Sequence, residues 1–311
     1  MHVALYFHGR LPARGYGGTQ RVVVWLARGL VELGHQVSLL APRESVVPGV
    51  ELIPLDPGAL RRLDFDLTPH APAGADILHL HAPLRIPPQL PNVATVHGNA
   101  APGHSYPPNT IFLSADHAHR HGAIAWVHNG LDPSAYRYRE TKGDYDLFLG
   151  RLHSAKGYRW ALAGARLTGR RLLLAGGWRP SFRRNIRYVG SVDGARKSEL
   201  LAGARCLWMP ALWDEPFGLT LIEAMASGTP VLGTRRGALP EIVTPDVGFL
   251  GDSVEELAAF AKRSGEIRPA DCRARVERWF SHRTMAAAYV RCYEAWLRGE
   301  RLPAGERPTG E

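Results

Sequence analysis

Two glutamates and two cations carry the chemistry this sequence offers. Glu215 and Glu223 lie in the stretch Met209–Val231, MPALWDEPFGLTLIEAMASGTPV, which reads as strand, loop, helix, loop, strand. The helix spans about Leu219 to Ser227. Gly228 can take the left-handed conformation that closes a helix, and Pro230 cannot continue it. The N–H groups of Gly218, Leu219 and Thr220 open the helix N-terminus, where unpaired donors and the dipole both favour an anion. Carboxylates repel a bare phosphate. Glu215 and Glu223 beside this anion site therefore suit a ligand with hydroxyls next to its phosphates, as in a nucleotide sugar. The same residues allow a plainer reading, in which Thr220-x-x-Glu223 is a capping box and Glu215 a solvated loop acid.

Arg151 and Lys156 lie in GRLHSAKG, the loop behind the apolar run Tyr145–Leu149. At the C-terminal end of a strand, an arginine fork and a lysine point charge can together neutralise a diphosphate. Lysine is scarce here: only Lys142, Lys156, Lys197 and Lys262 occur, so the glycine-flanked Lys156 stands out.

The elements that must position these groups repeat one pattern. Val3–Phe7 is an apolar run, a loop with Gly9, Gly15, Gly17 and Gly18 follows, Gln20–Leu33 has helical spacing, and Val37–Leu40 is the next strand. That is how a doubly wound parallel sheet begins. The loop is not G-x-G-x-x-G and no acid ends the second strand, which disfavours a dinucleotide site. Gly17 and Gly18 before a helix still allow close approach to a phosphate or sugar. Ile77–His81, Val93–His97, Thr110–Leu113 and Ile124–Val127 read as strands with little helix between them. His97 ends one of them, where such sheets place ligand groups. His79 and His81 alternate on a strand face, and His117, His119 and His121 fall on a polar turn. Their spacing fits no metal set, and they read as solvated or sheet-edge residues.

The chain turns polar around 137–144 and then restarts as strand, glycine loop and helix. Leu172–Ala175, Ile186–Val189 ending at Gly190, and Cys206–Met209 continue the second sheet. Val254–Arg263, Pro269–Phe280 and an amphipathic Thr284–Leu297 read as helices, and the tail from Gly299 as mobile.

Composition sets the outer limits. The 311 residues suffice for two domains, and 45% hydrophobic with 22% charged residues is globular. No long apolar run and no signal-peptide pattern are seen. Three widely spaced cysteines suggest buried thiols in a reducing compartment. The net charge of +9 is almost all arginine, without a nucleic-acid motif or a basic run, which argues against a nucleic-acid partner.

Taken together, FLGRLHSAKG, EPFGLTLIEAMASGTPV, GALPEIV, the first-loop segment GYGGTQRVVVWLARGLVELGHQVSLL and VHNGLDPSAY resemble the retaining glycosyltransferases of family 4. The resemblance covers most of the chain and is strongest over 148–248. It implies the GT-B fold, an α/β architecture of two Rossmann-like doubly wound domains facing across a cleft. An acceptor domain would take residues 1–137 with a returning helix at about 282–298. A donor-binding domain would take 143–281, and 299–311 a mobile tail. It implies transfer of a hexose from a nucleoside-diphosphate sugar to an acceptor hydroxyl, with retention and without a metal or other cofactor. In that resemblance Arg151 and Lys156 hold the diphosphate and Glu215 meets the sugar. Glu223 meets the ribose, and Gly218, Leu219 and Thr220 donate to the phosphates. Gly17, Gly18 and Gly190 line the donor, and His97 lies near its sugar. The acceptor would be a carbohydrate, a lipid-linked or a small molecule, and the setting cytoplasmic, with weak peripheral contact at an anionic membrane left open. The short N-terminal domain departs from the family pattern and leaves the acceptor site undefined. The rival readings are a sugar-nucleotide epimerase of the same fold, a non-catalytic sugar-nucleotide binder and, more distantly, a nicotinamide dehydrogenase.

Overall fold

A computed structural model describes residues 1–13, 15, 17–62, 64–101 and 103–308. Tyr16 of the first-loop motif and residues 309–311 of the tail lie outside the described residues. The chain divides into two units, Met1–Leu131 with Ser281–Arg307, and Asp132–Phe280.

In the first unit, β1 (His2–Tyr6), α1 (Gly18–Glu32), β2 (Gln36–Pro42), β3 (Glu51–Leu55), β4 (Ile77–Leu80), β5 (Asn92–Thr95), β6 (Thr110–Ile111) and α2 (Ala115–Arg120) follow in turn. The strands form one parallel sheet in the order β3-β2-β1-β4-β5-β6. Every residue of β1 is buried, as expected for a strand covered on both faces, and α1 turns Val22, Val23, Leu26 and Leu30 to the core.

The second unit runs β7 (Tyr145–Leu149), α3 (Tyr158–Thr168), β8 (Arg171–Ala175), β9 (Ile186–Gly190), α4 (Gly194–Gly203), β10 (Leu207–Met209), α5 (Leu219–Ala226), β11 (Val231–Gly233), α6 (Leu239–Ile242), β12 (Gly248–Leu250), α7 (Val254–Arg263) and α8 (Pro269–Trp279). Its sheet is also parallel, in the order β12-β11-β10-β7-β8-β9. Read from its own first strand, each sheet has the order third, second, first, fourth, fifth, sixth. The order reverses between β1 and β4 and between β7 and β10, and the loops leaving those strands splay apart there to make a crevice. Trp208 on β10 fills the core under α3. A Cβ on Gly164 would lie 2.1 Å from its ring, so glycine is what lets the helix settle at that depth.

The last helix, α9 (His282–Leu297), belongs to the first unit and packs on α1. There a Cβ on Gly29 would lie 2.5 Å from the His282 carbonyl oxygen.

Several expectations are corrected. Ile124–Val127 forms no named strand; Trp126 bridges to Phe112 and Ala125 to Ala304. β3 and α2 were not anticipated. The units divide at Leu131, before the polar stretch, because Tyr136 and Arg137 are tied into the second unit through Glu223 and the Ser198 hydroxyl. The tail is held in part. Leu302 is buried, Ala304 pairs with Ala125, and Gly305 sits so close to Trp126 that a Cβ would lie 2.4 Å from its carbonyl oxygen.

Candidate active site

In the second unit, the loops that leave β7 and β10, where the strand order reverses, bring Lys156 and Glu215 together. The loop after β7 ends in a 3-10 turn, Ser154–Lys156, closed by Gly157 in the left-handed conformation (φ 71°). A Cβ on Gly157 would lie 1.7 Å from the Pro210 carbonyl oxygen, and Leu212 N–H donates to the Ala155 carbonyl at 2.8 Å. The loop carrying Lys156 is therefore seated on the loop leading from β10 to Glu215. Behind Glu215, Gly237 (φ 58°) lets a third loop close in: a Cβ there would lie 2.4 Å from the Glu215 backbone, and Ala238 N–H donates to the Glu215 carbonyl at 2.9 Å.

This seating brings Lys156 Nζ to 2.6 Å from Glu215 Oε2. Trp213 Nε1–H donates to the same oxygen at 2.8 Å, and Lys156 Nζ lies 4.6 Å from the centre of the Trp213 ring. The side chains of Lys156 and Glu215 are only 18% and 10% exposed, which separates them from ordinary surface ion pairs. Glu215 is thus not the solvated loop acid of the plainer reading. Arg151 is exposed in the loop that follows β7.

Gly218 precedes α5 with φ 92°, a conformation that favours glycine, and no side chain caps this helix end. The capping box does not form. Thr220 sits inside the first turn, with its hydroxyl 3.5 Å from Met209 Sδ. The Glu223 carboxylate turns instead to Lys197 Nζ at 2.5 Å and Tyr136 Oη at 2.8 Å. Leu219 and Thr220 are half-buried at the head of the helix, where the backbone partial charge is positive. Gly190 ends β9 with φ 77°, its carbonyl accepting from Gly176 N–H at 2.9 Å.

Three further residues of this region went unnoticed in the sequence: Trp213, Lys197 and Tyr136. The signal that could find Lys197 is the scarcity of its type, one lysine of four. Lys142, another of the four lysines, donates at 3.1 Å to the Ala202 and Ser227 carbonyls behind α4 and α5.

Gly17, Gly18 and His97 belong to the first unit. Gly17 precedes α1 in an extended conformation, and a Cβ there would lie 2.1 Å from Gln20 Oε1. Gly18 is the first residue of the helix. His97 Nε2 lies 3.0 Å from His81 Nδ1.

The neighbouring histidines correct the sequence reading. His79 stands on the interior strand β4, His81 directly follows that strand, and His117 is on α2; all three are buried. His79 bridges Tyr293 Oη at 2.6 Å and Thr95 Oγ1 at 2.7 Å. His117 Nδ1 accepts from Leu113 N–H, so its Nε2–H donates to the Gly98 carbonyl, a pattern open only to the neutral ring. Alternation on a strand looked like an exposed face because the tyrosines of α9 that cover it are remote in sequence. Among the described residues, no group of three or more His, Cys, Asp and Glu side chains could hold a metal ion.

Burial holds His97 down to about 4 and His117 to about 3, from an ordinary 6.5. The unfolded chain takes up these protons near pH 6.5, whereas the folded chain does so only near those lower values. Stability is therefore full above about pH 6.5 and falls as pH drops below it, by up to about 1.4 kcal/mol per pH unit for each such histidine. Melting temperature measured from pH 7.5 to 5 should fall. A flat profile would show that these rings accept protons in place.

Two Rossmann-like units of this topology make the GT-B fold, and comparison with known proteins agrees. The family described as Glycosyl transferases group 1 matches residues 145–264. The solved structure of AviGT4, a glycosyltransferase involved in avilamycin A biosynthesis, superposes with a TM-score of 0.80 and 31% identity, covering 96% of this chain and 98% of that one. A phosphatidyl-myo-inositol mannosyltransferase of Mycolicibacterium smegmatis is 28% identical over 298 residues, 75% of this chain and 77% of that protein. A glycogen synthase of Mycobacterium tuberculosis is 31% identical over 217 residues, 60% of this chain and 52% of that protein. The chain belongs to the GT-B glycosyltransferases, enzymes that transfer a sugar from a nucleotide sugar.

Proposed function

We propose that the chain transfers a hexose from a nucleoside-diphosphate sugar to an acceptor hydroxyl with retention of anomeric configuration, without a metal, as a family 4 enzyme. The observation that carries this reading is the meeting of Lys156, Glu215 and the head of α5 beside the switch point between β7 and β10. As the bond from the anomeric carbon to phosphate oxygen stretches, negative charge grows on the leaving diphosphate. Arg151, Lys156 and the N-terminus of α5 are preset to stabilise that charge, the task a divalent cation performs elsewhere. A new bond forms between the anomeric carbon and the acceptor oxygen on the same face, and the acceptor proton passes to the leaving phosphate oxygen.

In this reading a diphosphate competes with Glu215 for Lys156. On donor binding, Lys156 turns to the phosphates and Glu215 accepts from the sugar hydroxyls, with Trp213 Nε1–H still holding its carboxylate. Glu223 accepts from the ribose hydroxyls, Gly218, Leu219 and Thr220 donate to the phosphates, and Gly190 borders the nucleotide. In the same reading Gly17 and Gly18 border the donor and His97 lies near its sugar.

The relatives' names support a hexose, mannose among the candidates, and a carbohydrate or lipid-linked acceptor. Among the described residues no helix is long and apolar enough to cross a membrane. Cys206, Cys272 and Cys292 are buried and unbridged, which suits the reducing cytoplasm; any contact with an anionic membrane would be peripheral.

The proposal predicts undiminished turnover in excess EDTA, and a product whose anomeric proton coupling in NMR matches the donor's configuration. An inverted product, or activity abolished by EDTA and restored by a divalent cation, would overturn the corresponding part.

A further inference from the structure

Glu223 is gripped from two sides. Lys197 on α4 and Tyr136, which closes the 3-10 turn Pro133–Ala135, both donate to the same oxygen, Oε1, at 2.5 and 2.8 Å. Lys197 is 6% exposed and Glu223 3%, and the ammonium lies 5.6 Å from the centre of the Tyr136 ring. Sinking a lysine and a glutamate this deep gains little stability over apolar side chains of the same volume, because both charges lose their water. What such a pair does supply is direction. A carboxylate offers about four acceptor positions over its two oxygens. Two donors fastened to one oxygen fix the plane of the group, and so the bearing of the other oxygen.

We infer that Lys197 and Tyr136 are positioning residues that aim the Glu223 carboxylate at the ribose hydroxyls of the donor nucleotide. This rests on the reading of Glu223 as the ribose-binding carboxylate. Lys197 supplies the counter-charge and Tyr136 the second anchor, and neither need touch the nucleotide. Their effect should appear as discrimination between ribose and deoxyribose, with diphosphate binding left alone.

The test is calorimetric titration of the full chain with UDP, GDP and ADP, then with the 2′-deoxy and 3′-deoxy forms of whichever binds best, and with inorganic pyrophosphate. The unaltered chain is expected to bind the ribonucleotide about tenfold more tightly than at least one deoxy form, the size of a charge-assisted hydrogen bond. In Lys197→Met that ratio should collapse towards one, while pyrophosphate affinity stays within about threefold. Lys197→Arg should keep most of the ratio, and Tyr136→Phe should lower it partway. If Lys197→Met keeps the full ratio, the positioning role is wrong and the ribose reading of Glu223 stands. If the unaltered chain makes no distinction, the ribose reading falls and this inference with it. Should Lys197→Met fail to fold, Tyr136→Phe decides, and an unchanged ratio there overturns the inference.

Discussion

Lys156→Ala is expected to lower kcat by about a thousandfold or more, the loss seen when a preset charge-stabilising group is removed from an enclosed site. The substitution leaves no clash, and Glu215 keeps the Trp213 Nε1–H donor at 2.8 Å. The fold should therefore survive, with a melting temperature lowered by about 5–10 °C because Glu215, 10% exposed, loses its counter-charge. Lys156→Arg should recover little, because the pocket between Glu215 Oε2 and the Trp213 face holds a single ammonium at 2.6 and 4.6 Å, and a guanidinium is broader. Turnover of the two variants, measured with melting curves, checks this. Activity within a few-fold of the parent chain in folded Lys156→Ala would remove the lysine from the mechanism.

The second large effect is on stability. Gly157→Ala places a Cβ 1.7 Å from the Pro210 carbonyl oxygen at a residue whose φ is 71°. Backbone faces backbone there, so no side chain can swing away. The loop must lift from the 210–212 segment, losing the bond from Leu212 N–H to the Ala155 carbonyl. The expected cost is about 2–4 kcal/mol, with donor affinity falling as well because Lys156 moves with the loop. Gly169→Ala is the matched control. Its φ of 70° is nearly the same, but a Cβ there would meet nothing within 4 Å, so only the left-handed strain of about 1 kcal/mol remains. Urea unfolding of both variants separates the clash from the strain. Equal losses would mean that the loop yields freely.

These two positions also show what could be read before the structure. Lys156 was legible because it is a rare residue type, glycine-flanked, behind an apolar run that had to be a strand. Both sheets were legible for a related reason: parallel strands buried on both faces, such as β1 and β7, read as apolar runs ending in glycine loops. The reversal of α5 at Gly228 was legible too, and the helix ends at Ala226 as its composition demands. The partners were not. Lys156 meets Glu215 across 59 positions, and Glu223 meets Lys197 across 26 and Tyr136 across 87. Periodicity says which face of a helix is buried, but not which polar group waits there. His79 failed for the same reason, since its bond to Tyr293 spans 214 positions. The tail is held more than its composition suggests: proline, glycine and charge signal weak self-packing, while Ala304 and Gly305 meet Ala125 and Trp126 far back along the chain, and Leu302 is buried. The capping box failed locally. Gly218 takes the cap position, and the buried Lys197 claims the glutamate that would have reached back.

The central claim is that the second unit holds a nucleoside diphosphate through Lys156 and its neighbours. Calorimetric titration of EDTA-treated chain with UDP, GDP, ADP and dTDP tests it most directly. The account predicts that one of the four binds in the micromolar range, that the affinity weakens with added salt, and that Lys156→Ala reduces it by about tenfold or more. No binding of any of the four to protein shown to be folded, or binding indifferent to Lys156→Ala, would contradict it.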